Sequence, residues 1–175
     1  DRTVSRGLGD VYKRQKVDGY SIGGCNHMAY FCDLTIASEN SIFGQNGPRV
    51  GSPAGGAIVA HSANILGPKR AREMWMTCKR YSATEMMNWG LVNSVVKKEK
   101  LDVEVKKYGD EILKAAPTCL KILKASFRKQ FDEILKITQK SMVEEVSPEY
   151  FKTGEQAEGA KAFLEKRKPN FKKFR

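Results

Sequence analysis

Two adjacent glycines, Gly23 and Gly24, follow the apolar run Tyr20-Ser21-Ile22 and precede a helix-like segment that ends near Cys32. A glycine pair between strand and helix lets the backbone turn sharply and leaves unpaired N–H groups at the helix N-terminus. Those donors, with the positive end of the helix dipole, suit an oxygen that gains negative charge during a reaction. His27 lies one turn beyond Gly24. Histidine titrates near neutrality, so His27 can move a proton, and it serves equally well as a satisfied interior side chain. His61 carries the same two readings, with a helix surface or interface as its structural one. Asp33, at a strand start after Cys32, reads as a turn-holding residue.

The elements that must position these groups follow from spacing. Strand-like runs cover Leu34–Ala37 and Ser41–Gln45. Gly55–Leu66 reads as a helix, broken by Gly67-Pro68; Pro68 suits the first turn of the next helix, Lys69–Cys78. Ser82-Ala-Thr-Glu85 spells a capping box, Gly90 closes that short helix, and Leu91–Val96 is a short strand. Leu101, Val105, Tyr108 and Ile112 share one helix face. After Pro117 a second stripe runs through Leu120, Leu123, Phe127, Phe131 and Ile134, and a third helix is expected over Glu155–Lys166. Strands and helices come first, then helices only: an α/β core carrying a helical C-terminal layer.

The 175 residues are enough for one domain with a real core. With 41% hydrophobic and 29% charged residues the composition is that of a soluble globular protein. No apolar run approaches the ~20 residues of a membrane span, and no signal peptide is visible. Cys25, Cys32, Cys78 and Cys119 lack CxxC spacing and read as reduced thiols of a cytoplasmic protein, with no metal site. The net charge of +11 admits nucleic acid or a smaller polyanion such as the phosphates of coenzyme A. No nucleic-acid motif is present, so the second is preferred. The basic tail Lys166–Arg175 reads either as part of that anion site or as a solvated end. Asp1–Gln15 has no amphipathic period and resembles an adapter-derived leader, so fold reasoning starts at Lys16.

From Lys16 onward, GYSIGG, CDLTIAS, FGQNGPRVGS, GPKRARE, YSATEMMNWGLVN and EGAKAFLEKRKPNF occur in the order that resembles the C-terminal half of the crotonase superfamily. Within it the chain is similar to the 1,4-dihydroxy-2-naphthoyl-CoA synthase branch, which also holds the ring-cleaving 2-ketocyclohexanecarboxyl-CoA hydrolase. The resemblance implies an α/β fold: a partial crotonase-like ββα spiral core over 16–97 and a C-terminal α-helical trimerisation layer over 98–175, the latter also binding CoA. It implies a homotrimer or homohexamer acting on an acyl-CoA, with no tightly bound cofactor, no nucleic acid and no membrane span.

Site residues follow by position. Gly24 would give one oxyanion-hole N–H to the thioester carbonyl. The family's second donor lies upstream, in a part this chain lacks, so the fragment alone is expected to be inactive. The two glutamates of simple hydratases correspond to His27 and Gly47, which disfavours ordinary hydration. Gly47 is a branch signature, and in many naphthoate synthases a bound bicarbonate fills the space; Gln45, Asn46 and Trp75 match that site, although packing alone also accounts for Gln45 and Trp75. Ser52 belongs to the branch's Val-Gly-Ser frame. Ala54 stands where the branch has a catalytic aspartate, and Phe151 where it has a catalytic tyrosine, with Tyr150 as the candidate substitute. Phe163 and Lys166 match residues that reach CoA, commonly across a subunit boundary; helix packing is the other reading of Phe163. The activity implied is enolate-mediated carbon–carbon bond formation on a CoA thioester, as in menaquinone biosynthesis. The alternatives are hydrolytic ring opening and a non-catalytic CoA-binding or assembly subunit.

Overall fold

Two turns of a ββα unit build the core. Strands β1 (Arg14–Val17) and β2 (Tyr20–Ile22) lead into helix α1 (Gly24–Phe31). Strands β3 (Leu34–Ser38) and β4 (Ile42–Gly44) lead, through a single 3-10 turn at Pro48–Val50, into α2 (Gly56–Leu66). The computed structural model describes residues 12–138 and 141–174. Each unit places its first strand in one sheet and its second in another. The first sheet has the order β1-β3-β6, all parallel, with β6 at Ser94–Val96. The second has the order β2-β4-β5, with β4 parallel to β2 and antiparallel to β5 (Arg80–Ser82). The expected partial ββα spiral is therefore present.

Local chemistry sets the boundaries. Gly67 at φ 82° ends α2, and Pro68 opens α3 (Pro68–Thr77) where its missing N–H costs nothing. Helix α4 (Ala83–Asn88) starts on the capping box read in the sequence: Glu85 N–H donates to Ser82 Oγ at 3.2 Å and Ser82 N–H to Glu85 Oε2 at 2.7 Å. The strand expected over Leu91–Val96 begins only at Ser94. Gly90 (φ 87°) and Leu91 turn their N–H groups back onto Met87 and Met86 to close α4, and Leu91 and Val92 are buried in the core instead of pairing. Strand β5 was not foreseen; three residues give too short a pattern to read. Phe43, Ile36, Met74 and Met86 are fully buried and form the centre of the packing.

The boundary placed at Lys16 falls late. Arg14 and Gln15 already pair with Leu34 and Thr35 in β1, Lys13 N–H donates to Asp33 Oδ2 at 2.7 Å, and Tyr12 Oη donates to Leu120 O at 2.8 Å. The rest of the supposed leader, residues 1–11, lies outside the described residues. The Asp33 carboxylate ties distant segments rather than a local turn, since the same Oδ2 also accepts from buried Lys124 at 2.6 Å.

The C-terminal layer holds five helices among the described residues: α5 (Leu101–Lys114), α6 (Pro117–Ile137), α7 (Met142–Val146), α8 (Tyr150–Thr153) and α9 (Glu155–Leu164). The stripe on α6 divides. Phe131 packs edge-on against Phe31 and His61, whereas Leu123 and Phe127 are 51% and 68% exposed. The four cysteines are free, and among the described residues no helix is long and apolar enough to cross a membrane.

Helix α9 ends two residues earlier than expected. Lys166 takes a left-handed φ of 53°, its N–H bonds to Phe163 O, and Arg167 N–H bonds to Ala162 O, the double bond of a Schellman stop. The tail then folds back. Arg167 forks onto both oxygens of Glu158 at 2.7 and 3.2 Å, and Asn170 N–H donates to the same carboxylate at 2.8 Å. The Arg167 guanidinium, then the Asn170 N–H, hold the Glu158 carboxyl down at about 2 from its ordinary 4.5. A depressed carboxyl adds stability that is complete above its unfolded value and lost as pH falls through the folded one. The stability gap between wild type and Glu158→Gln should therefore be constant above about pH 4.5 and close between there and about pH 2, which denaturant titrations at a series of pH values will check.

Candidate functional site

Gly23 sits at φ 58°, ψ −117°, the mirror image of an extended conformation, which a side chain would resist. Its N–H donates to Gly44 O at 3.0 Å and its carbonyl accepts from His27 N–H at 3.0 Å, so one residue ends β2 and starts α1. Gly24 is the first helical residue and is exposed, with open space where a Cβ would stand. Its N–H belongs to the first turn, which has no partner within the helix.

Beneath it lies a buried polar chain. Gln45, only 1% exposed, donates from Nε2 to Tyr30 Oη at 3.3 Å and faces His27 Nε2 with Oε1 at 3.2 Å. Asn26 Nδ2 donates to the same phenol at 2.9 Å, and Tyr30 Oη donates to Met74 Sδ at 3.3 Å. This direction of donors requires a hydrogen on His27 Nε2 and leaves Nδ1 as the lone-pair nitrogen. Burial lowers the His27 pKa below 6.5, partly offset by Gln45, and burial pushes the Tyr30 phenol up to about 12. The Trp75 ring lies 5.6 Å from His27, and its Nε1–H donates to Ser62 Oγ at 2.9 Å.

The loop after β4 carries the remaining candidates. Arg80 reaches Gln45 O at 3.1 Å and Asn46 Oδ1 at 3.3 Å. Ser52 N–H donates to Gly47 O at 2.9 Å, and a Cβ on Gly47 would stand 2.7 Å from Ser52 O, so this glycine is required by close approach. Ala54 is half-buried against the core. Tyr150 Oη donates to Gly51 O at 2.5 Å, placing Tyr150 on the same loop, whereas Phe151 is 65% exposed. Phe163 (70% exposed) and Lys166 stand at the far end of α9. They do not continue one helix face, because the left-handed Lys166 lies past the helix stop.

The structure thus gathers Gly24, His27, Gln45 and Trp75 around one end of α1. The donors of Gln45 and Trp75 are engaged within the chain. His61 is half-buried at a helix interface: its ring stacks on Phe31 with centroids 5.3 Å apart, and its Nε2 bonds to Tyr30 O at 2.9 Å. It lines a cavity of about 520 Å³ at the other end of α1, with Phe31, Phe127 and Phe131, which holds none of the nominated site residues. What the sequence did not disclose was the Asn26–Tyr30–Gln45 chain behind His27. The i, i+4 spacing of Asn26 and Tyr30 was the available signal.

The enoyl-CoA hydratase/isomerase family pattern matches residues 15–174. The chain belongs to the enoyl-CoA hydratase/isomerase family. Solved structures with the same fold include a methylmalonyl-CoA decarboxylase in complex with 2-nitronate-propionyl-CoA, at 24% identity and TM-score 0.77 over 93% of this chain. An enoyl-CoA hydratase/isomerase from Pseudoalteromonas atlantica matches at 23% and 0.77 over 93%, and a carnitinyl-CoA hydratase from Mycobacterium avium at 24% and 0.74 over 94%. The chain spans 63%, 65% and 64% of those three chains. At these identities the likeness is one of fold, and this family member joins that fold to a glycine-led helix with histidine in its first full turn.

His27 of this family member should titrate below 6.5 in an NMR pH series, with its hydrogen on Nε2 when neutral. Gln45→Leu removes the influence that raises it, so the titration should move lower still. With a depressed folded value, the His27 contribution to stability is full above about 6.5 and falls as the pH drops below it.

Proposed function

We propose that this chain is the C-terminal part of a crotonase-type enzyme acting on an acyl-CoA thioester through an enolate. The observation that carries this is the Gly24 N–H at the exposed start of α1, a donor aimed where a thioester oxygen would gain charge. In this reading a proton leaves the carbon beside the thioester carbonyl for His27 Nδ1. The electron pair moves onto the thioester oxygen held by Gly24. Burial keeps His27 neutral, and Gln45 leaves its Nδ1 as the lone-pair nitrogen, so it can accept that proton at neutral pH. The net charge of +11 suits the phosphates of CoA.

Naphthoate-type carbon–carbon bond formation remains the first choice of reaction, on the branch-like motifs. Hydrolytic ring opening is the second; the non-catalytic reading is the one favoured by Ala54, whose methyl packs against the core where the branch has an aspartate, and by exposed Phe151. Exposed Leu123 and Phe127 on α6 support assembly into a trimer or hexamer, and Phe163 with Lys166 would meet CoA from that layer. A cytoplasmic setting fits the free thiols. A second oxyanion donor would come from outside this chain, so the chain alone should turn over poorly.

The test is turnover of o-succinylbenzoyl-CoA and 2-ketocyclohexanecarboxyl-CoA by the full-length parent, with and without bicarbonate. Activity that ignores bicarbonate leaves His27 as the base; activity that requires it moves the base to an anion beside Gly47. No turnover together with tight CoA binding would favour the non-catalytic subunit. Gly24→Pro deletes the N–H at the first helical position, where proline is tolerated and a Cβ has open space. It should lower kcat about 100- to 1000-fold with the fold intact.

Lys166→Gly separates two roles of one residue. Relief of the left-handed lysine should stabilise the chain by about 1 kcal/mol in thermal or urea unfolding. If Lys166 also pairs with a CoA phosphate, the same variant should bind CoA more weakly, and added salt should weaken wild type similarly.

A further inference from the structure

The loop that carries Gly47 and Ser52 is held from the far side by the C-terminal helices. Tyr150 at the start of α8 donates its hydroxyl to Gly51 O at 2.5 Å. Gly51 itself is left-handed (φ 63°), and a Cβ there would stand 2.6 Å from Glu155 O at the start of α9. Gly159, one turn further along α9, is seated directly on Val50 O, with no room for a Cβ. Three contacts therefore press one face of α8–α9 onto Val50–Gly51, and two of them are backbone approaches that only glycine allows. The phenol is half-buried, and burial raises its pKa, with Glu155 adding to the rise. It stays protonated and able to donate at neutral pH.

We propose that Tyr150 is a positioning residue that latches α8 and α9 onto the Val50–Ser52 segment, so that this loop and the C-terminal helices order together when an acyl-CoA binds. The ligand half of this statement rests on the function proposed above; the latch itself does not. Tyr150 then acts through Gly51 rather than on substrate. Its hydroxyl fixes the carbonyl that precedes Ser52, and the Ser52 N–H closes back on Gly47 at 2.9 Å. Contacts made by α9 thereby reach the Gly47 side of the site through Val50 and Gly51.

The test is hydrogen exchange of the whole chain by NMR, without ligand and then with coenzyme A as probe. Without ligand, Tyr150→Phe should speed exchange of the Val50 and Ser52 amides about tenfold, the loss of one hydrogen bond, while α3 and α4 amides keep wild-type rates. Gly159→Ala should do the same by pushing α9 away from Val50, and it stands in if the first variant folds poorly. In wild type, coenzyme A should slow exchange in the loop and in α9 over the same concentration range. In Tyr150→Phe the α9 amides should respond and the loop amides lag. Wild-type loop exchange in both variants overturns the latch. So does a uniform rise that includes α3, which would mark plain destabilisation. If coenzyme A protects nothing in wild type, the acyl-CoA reading and the coupling to it fail together, and the ligand-free comparison alone decides the latch.

Discussion

One residue in a mirror-image conformation determines what can be built around it. Gly23 pairs with β4 through its N–H and begins α1 through its carbonyl, with no residue between the two tasks. A loop of ordinary length would carry α1 away from the sheet edge and leave its first N–H groups to water. Here the turn is so short that the sheet fixes the helix origin and direction together. Any substituted residue at φ 58° would add strain of roughly 1–2 kcal/mol. It would also compete with the orientation that gives Gly24 its outward donor.

That origin is supported from below by polar groups, which is an expensive way to fill an interior. Tyr30, Asn26 and Gln45 are all nearly or fully buried, and each must find partners or cost about 1–3 kcal/mol. They find most of them in one another and in Met74 Sδ. An apolar core would pack as well, but it would leave the His27 ring free to choose either tautomer. Within that chain Gln45 sets which His27 nitrogen carries the hydrogen, so the packing fixes a tautomer. Asn26 Oδ1 stays buried without a partner among the described residues, and nothing in the structure accounts for it.

Much of this was legible in the sequence where a local rule acts alone. The Gly23-Gly24 turn, the Ser82–Glu85 box, Pro68 at a helix start and Gly90 at a helix end are written in adjacent residues, and the structure places each as read. Readings failed where distant groups decide. Leu91 and Val92 look like strand residues but are captured by the end of α4 and the core. Arg14 and Gln15 look patternless, yet β3 supplies their partners. Lys166 looks helical by spacing, because nothing in its side chain announces a left-handed stop. The helix start at Gly24 was legible for the same reason as the caps. The polar chain behind His27 was not, because Gln45 reaches it from another strand.

The fork between Arg167 and Glu158 changes how the basic end of the chain should be counted. Six cations in the last ten residues, Lys166, Arg167, Lys168, Lys172, Lys173 and Arg175, suggest a strong attractive field. Yet Arg167 is turned inward onto one carboxylate, which Lys173 also approaches to 4.0 Å. The potential that a passing polyanion meets is therefore weaker and more localised than the tally of charges implies. It is centred on the lysines that keep their ammonium groups in water, not on the arginine that a sequence-based charge map would weight equally.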